Sequence, residues 1–258
     1  MSRDLATIQV LIRRDLVRFF RQRSRVLGAL AQPILFWLII GGGLSGSFSI
    51  PGSPVDYQEY FFPGVLLMVV LFTSIFSTMS LIEDRHEGFL QAVLVAPSSR
   101  LSVVLGKTLG GVAIALLQAG LVMVALPWAG YPLAQVDWPL TVLLLTLASL
   151  ALCSLGFAIA WFLDSVQGYH AVMSVLLLPL WIVSGAMFPV AQAAPWLGAV
   201  MRVNPMTYAV EGLRHALYGG AVPAGLGPGL SAGPALAAVA GFAALSLGLA
   251  VWTCTRQK

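Results

Sequence analysis

Residues 83–100, EDRHEGFLQAVLVAPSSR, hold five of the chain's 24 charged side chains and sit between two long apolar runs that have almost none. Phe89, Leu90, Val93 and Leu94 recur at helical spacing, which predicts a short amphipathic helix. Glu83, Asp84, Arg85, His86 and Glu87 crowd its start, where the helix dipole favours acids. Gly88 follows them, and Pro97 with two serines stops the helix. A helix of this kind, facing water between two membrane spans, offers a docking point for a soluble partner. An ordinary polar loop holding two spans apart accounts for the same letters, and the stretch alone leaves both open.

The surrounding composition decides the solvent. With 59% hydrophobic and 9% charged residues in 258, and a mean hydropathy of +0.90, the chain lacks the polar side chains that a water-facing surface requires. An all-α integral membrane protein is the consequence. The net charge of +4 then reflects arginines held on one side of a bilayer rather than a nucleic-acid surface. Cys153 lies in an apolar run and Cys254 at the far end of the chain, with no metal-ligand spacing around either.

Residues 1–25 form an arginine-rich arm. Leu5, Ile8, Ile12, Leu16 and Phe19 make one helical stripe, while Arg14, Arg18, Arg21 and Arg25 make a second. Such a helix lies in the membrane interface with its arginines towards anionic headgroups. The remainder, 26–258, reads as a six-span domain. The spans fall near 26–44, 61–82, 101–128, 139–163, 169–188 and 231–253, each close to the roughly 20 residues needed to cross the hydrocarbon. With the N-terminus inside, inner segments carry twelve lysines and arginines, and outer ones only Arg202 and Arg214. The positive-inside rule therefore expects both termini and residues 83–100 in the cytoplasm; the expected location is a bacterial plasma (inner) membrane.

Residues 189–220 carry helical signals of their own. Asn204 suits an N-cap and Pro205 the first helical position, with the helix running through Tyr208, Glu211 and Arg214 to Gly219-Gly220. An apolar segment over 194–203, too short to cross, precedes it. The pair predicts a re-entrant hairpin entering from the outer face, with Glu211 and Arg214 three residues apart on one side.

Catalytic and nucleotide motifs fail on inspection. Gly106-Lys107-Thr108 ends like a phosphate-binding loop, but the earlier glycine is replaced by Leu101, and Lys107 is expected to snorkel to headgroups. His86-Glu87 opens a zinc-protease pattern whose second histidine is Leu90. Thr73, Ser74, Ser77, Thr78, Ser80 and Gln118 are polar groups within spans, able to line a path or to bond neighbouring backbone. No metal site, catalytic residue or cofactor is expected in this chain, so energy for uphill transport would come from another polypeptide.

The order of basic arm, six spans, acidic inner loop and outer NPMTYAVEGLRHALYGG resembles the type-2 ATP-binding-cassette exporter permeases, above all the drug-resistance and nodulation-factor export branch. That resemblance implies a half-transporter that pairs with a second permease, expected to be an identical copy, above two separate ATPase subunits holding ATP and magnesium. It makes residues 83–100 the coupling helix, with Glu83, Asp84, Arg85, Glu87, Gly88, Phe89, Val93 and Pro97 meeting the ATPase. Arg14, Arg18, Arg21 and Arg25 would belong to the connecting helix on the membrane lipid. Asn204, Pro205, Tyr208, Glu211 and Arg214 would belong to an outer gate. Cargo is expected to be amphipathic or hydrophobic; lipid-linked saccharide export and a non-transporting assembly role remain alternatives.

Overall fold

The structure is a computed structural model that describes residues 2–46, 55–223, 225–227 and 229–256, without the side chains of Ser2, Arg23 and Arg25. Gly52, assigned by the sequence to an outer loop, and the Arg25 side chain, assigned to the basic stripe, lie outside the described residues. The arm is α1 (Ser2–Arg21). A first span follows as α2 (Arg23–Phe36), a π-helical turn (Trp37–Gly41) and α3 (Gly42–Leu44). Next come α4 (Tyr57–His86), α5 (Phe89–Val95), α6 (Arg100–Met123), α7 (Trp138–Phe162) and α8 (Val166–Trp181), the last extended by a π-helical turn (Ile182–Ala186). A 3-10 turn (Val190–Gln192), α9 (Pro195–Val203), α10 (Pro205–Leu217) and α11 (Ala232–Arg256) complete the chain. No strand occurs among the described residues.

Among the described residues, six helical segments are long and apolar enough to cross a membrane: Val26–Leu44, Tyr57–His86, Arg100–Met123, Trp138–Phe162, Val166–Ala186 and Ala232–Arg256. Local sequence sets where several begin. Asp56, Ser99, Asp137, Ser165 and Asn204 each accept a backbone N–H in the first turn of the helix that follows, satisfying donors a helix start leaves orphaned. The second span is longer than expected from hydropathy, because α4 continues through the charged residues to His86.

Helix α4 is the centre of the molecule. Its apolar window is 89% buried, against 22% for the first span and 28% for α11, so those two are peripheral. Several polar groups in the middle of the bundle are consumed internally. Thr73 bonds Gln118, Thr78 bonds Tyr169, and Ser74 and Ser149 return their hydroxyls to carbonyls one turn back. The Gln118 amide also reaches the Val26 carbonyl at 3.4 Å, tying the first span to the core. These side chains are buried packing contacts within one chain.

Arm α1 packs on α6 rather than lying apart from the bundle. Gly106 and Gly110, one turn apart on α6, make this approach possible: a Cβ at Gly106 would sit 2.8 Å from a Leu11 methyl, and one at Gly110 would sit 3.3 Å from Asp15. The buried face of the arm is Leu11, Asp15 and Phe19. The expected stripe is thus rotated: Leu5 is exposed, and an acid occupies the middle of the packed face.

Candidate functional site

The end of the bundle that carries the arm holds a cluster of seven charged side chains. Asp84, fully buried, is its hub. Arg14 Nη2 donates to Asp84 Oδ1 at 2.6 Å, and Arg18 Nη1 donates to the same oxygen at 2.8 Å. Lys107 Nζ lies 2.5 Å from the other carboxylate oxygen and donates to Asp15 Oδ1 at 2.8 Å and to Ser80 Oγ at 3.3 Å. Arg18 Nη2 donates to Glu87 Oε1 at 2.9 Å and stands 3.0 Å from Glu83 Oε2. Among the described side chains of this cluster, four carboxylates face three cations. Burial pushes the Asp15 carboxyl above its ordinary pKa, and the adjacent Lys107 ammonium opposes that shift.

This geometry corrects three expectations. Glu83, Asp84 and Glu87 do not begin the loop helix: Glu83 and Asp84 lie in the last turn of α4, and Glu87 follows it. They sit there against the helix dipole because arm arginines neutralise them, and Gly88 at φ +75° turns the chain before α5 starts at Phe89. Arg14 and Arg18 point at these acids instead of at headgroups, while Arg21 is exposed at the end of α1. Lys107 is 5% exposed and does not snorkel. Arg85 turns the other way. It donates to the Trp161 carbonyl at 2.8 Å, the Leu163 carbonyl at 3.2 Å and Asp164 Oδ1 at 2.9 Å, closing the end of α7.

Helix α5 is fastened to this cluster on one side and uncovered on the other. Leu90 is buried in the core, and the Arg14 guanidinium lies 3.7 Å above the Phe89 ring. Phe89 and Val93 line a largely apolar groove of about 340 Å³ with Ala6 and Val10 of the arm. The expected docking ridge, Phe89 with Val93, is therefore the half-buried side facing the arm. Leu94, Val95 and Pro97 form the exposed side, with Val95 87% exposed. Asp15 was not singled out by pattern, although an acid at four-residue spacing between Leu11 and Phe19 was a visible sign, and Lys107 was read as an interfacial lysine rather than as its partner.

The opposite end of the bundle holds a second buried cluster. Asn204 separates α9 from α10, accepting from the Met206 N–H at 3.0 Å and donating to the Leu180 carbonyl at 2.6 Å. Pro205 opens α10, which packs among α4, α7 and α11 with most of its side chains buried. Glu211 and Arg214 are each 2% exposed, but their 3.5 Å contact is the weaker of the arginine's engagements. Arg214 Nη2 donates to the Gly185 carbonyl at 2.6 Å, and the Tyr60 hydroxyl donates to the same oxygen at 2.6 Å. The guanidinium lies 4.4 Å from the Tyr60 ring centroid. Arg214 thus locks α10 to α4 and to the π-helical turn after α8. Burial raises the Glu211 carboxyl pKa against the opposing pull of Arg214 and His215. Tyr208 stands outside this cluster, donating to the Arg202 carbonyl at 2.6 Å on the exposed side. Tyr60, Gly185 and the Tyr218–Glu59 bond at 2.8 Å complete the cluster and had no signal in local sequence.

Both clusters hold helices together, and the described residues contain no group of His, Cys, Asp and Glu able to hold a metal ion. Six crossing helices, a packed basic arm and an α10 inserted among the spans define a multi-pass α-helical membrane protein. The chain belongs to the ABC-2 type transporter family, whose membrane-domain description matches residues 6–218. Relatives include ycf38 of Cyanophora paradoxa, which carries a transport-permease name and is 30% identical over 80% of this chain and 72% of its own. Nodulation protein J of Neorhizobium galegae is 26% identical over 78% of this chain and 76% of its own. The inner membrane transport permease YadH of Escherichia coli K12 is 23% identical over 80% of each. This chain is therefore a transporter membrane subunit, and the family implies an ATP-binding-cassette ATPase as its partner.

Proposed function

We propose that this chain is the permease subunit of an ATP-driven exporter, with α5 as the element that receives motion from a separate ATPase. One observation carries this reading. Helix α5 leaves Leu94, Val95 and Pro97 uncovered, while Phe89 and the acids beside it are joined through Arg14, Arg18 and Lys107 to α1, α4 and α6. A push on the exposed side would reach three helices through buried charge contacts that have little slack. The partner would be two copies of the ATPase, carrying ATP and magnesium, beneath two permeases, with this chain pairing with its own kind.

The proposed cargo is amphipathic or hydrophobic, drug- or lipid-like. Within one chain the polar interior is largely filled, so a path would run along the outer faces of the first span and α8, where Leu35, Leu38, Ile39 and Val175 are exposed. Such a surface favours apolar cargo. The twelve-to-two asymmetry of basic residues supports cytoplasmic termini in a plasma membrane, with α5 inside and the Asn204–Arg214 cluster, the proposed outer gate, outside.

The test is co-purification of the ATPase and cargo-stimulated hydrolysis for Val95→Asp beside Phe89→Ala. A charge at Val95 is expected to reduce partner capture at least tenfold, as at an interface hot spot. Phe89→Ala is expected to loosen the arm and lower stimulation with partner capture retained. Full capture and stimulation in Val95→Asp would make α5 a spacer.

A further inference from the structure

We propose that a pocket beside α5, about 370 Å³ in volume, is a binding site for the phosphate headgroup of an anionic lipid. Its walls bring together Arg85 of α4, Gln91 of α5, Arg100 at the start of α6, and Trp161, Phe162 and Asp164 at and beyond the end of α7. The size lies within the roughly 300–1,000 Å³ of small-ligand sites.

Three features of this pocket fit a phosphodiester. Two guanidiniums face one carboxylate, Asp164, which is exposed and paired with Arg85 at 2.9 Å, so the local balance is positive. Hydrogen bonds to carbonyls hold both arginines in place: Arg85 to Trp161 and Leu163, and Arg100 to Cys254 at 2.6 Å. An anion would therefore meet pre-ordered guanidiniums, the arrangement that favours phosphate recognition. The third feature is Trp161, only 6% exposed, whose indole Nε1–H is buried with no acceptor among the described residues. A buried donor without a partner is costly, and a phosphate oxygen is a strong acceptor.

The pocket's level in the fold selects the source of the phosphate. Trp161 and the exposed Phe162 end a membrane-spanning helix, and Arg100 begins another, so the site lies where spans leave the hydrocarbon. Aromatic residues at that depth sit among headgroups, and basic pockets between spans take anionic lipid heads. Leu94 of the docking side also lines this pocket, but lipid occupancy is read without ATP, cargo or ATPase, so its outcome is separable from that of the transport mechanism proposed above.

Gln91→Glu is the decisive variant. Gln91 is exposed, so the change adds one negative charge to the pocket wall and leaves the core untouched. Trp161→Phe is the second, keeping the ring while removing the donor. The purified full-length chain in detergent is titrated with phosphatidylglycerol, phosphatidylcholine or inorganic phosphate, with bound lipid read by native mass spectrometry. Wild type is expected to retain phosphatidylglycerol at least tenfold better than phosphatidylcholine, with that preference falling about tenfold in Gln91→Glu and several-fold in Trp161→Phe. Equal retention of the two lipids, or an undiminished preference in Gln91→Glu, overturns the proposal. Inorganic phosphate binding with the same variant sensitivity, without any preference for phosphatidylglycerol, overturns the lipid source in favour of a soluble phosphate. Loss of ATPase capture in Gln91→Glu with lipid retention unchanged overturns it in favour of a protein contact.

Discussion

Replacing Lys107 with methionine tests the buried charge cluster most directly. Methionine keeps the length and bulk of the side chain but deletes the ammonium that bonds Asp15 at 2.8 Å and pairs with Asp84 at 2.5 Å. Asp84 retains Arg14 and Arg18, so the damage concentrates on Asp15, which is 4% exposed and has one carboxylate oxygen already without a hydrogen-bond partner. Breaking a buried pair by removing one partner costs about 3–5 kcal/mol. The lower end applies, since Asp15 can escape by taking up a proton. Adding Asp15→Asn removes the stranded charge and is expected to recover most of the loss, leaving a coupling of about 2 kcal/mol across the four-protein cycle. Melting temperatures of the purified proteins in one detergent measure it. The pH dependence has a definite sign. Without its cation, Asp15 has a folded pKa raised above the unfolded value, so ionising it costs stability. The deficit of Lys107→Met should be smallest at acid pH and grow as pH rises from the unfolded towards the folded pKa. A single variant that melts with the wild type, or a double variant no better than the single, refutes the account.

Other predictions follow from the same contacts. Asn204→Ala removes a helix cap and the bond to the Leu180 carbonyl, and should lower stability by about 1–2 kcal/mol in the same melting assay. Glu211→Ala should preserve ATPase association but impair transport, since it disturbs the cluster at the opposite end from α5; normal transport in vesicles would contradict this. Arg214→Gln should be far more damaging than Glu211→Ala, because Arg214 itself bonds the Gly185 carbonyl and packs on Tyr60, and yield of folded protein reports the ordering. A cysteine at Gly88 should resist an impermeant thiol reagent added to intact cells, while one at Gly52 should react, if the basic asymmetry sets the topology.

Much of the architecture was determined by sequence alone, because lipid enforces it locally. A span must be about 20 apolar residues in a row, and its backbone must bond within itself, so hydropathy marks all six helices whatever their neighbours. Helix starts were legible for a similar reason: Asn204 caps α10 with its own side chain two residues away. Tertiary structure decided what the charges do. Glu83, Asp84 and Glu87 had the right chemistry for a helix start or a partner's basic surface, yet their partners are Arg14 and Arg18, some 70 residues earlier. Lys107 resembled an interfacial lysine until α1 folded over Gly106 and Gly110 and brought Asp15 onto it. Likewise, Arg214 belongs less to Glu211, three residues away, than to Tyr60 and the Gly185 carbonyl. Periodicity says which residues share a face of one helix. Which two faces meet depends on the close approach of distant helices, and a buried charge takes its function from that meeting.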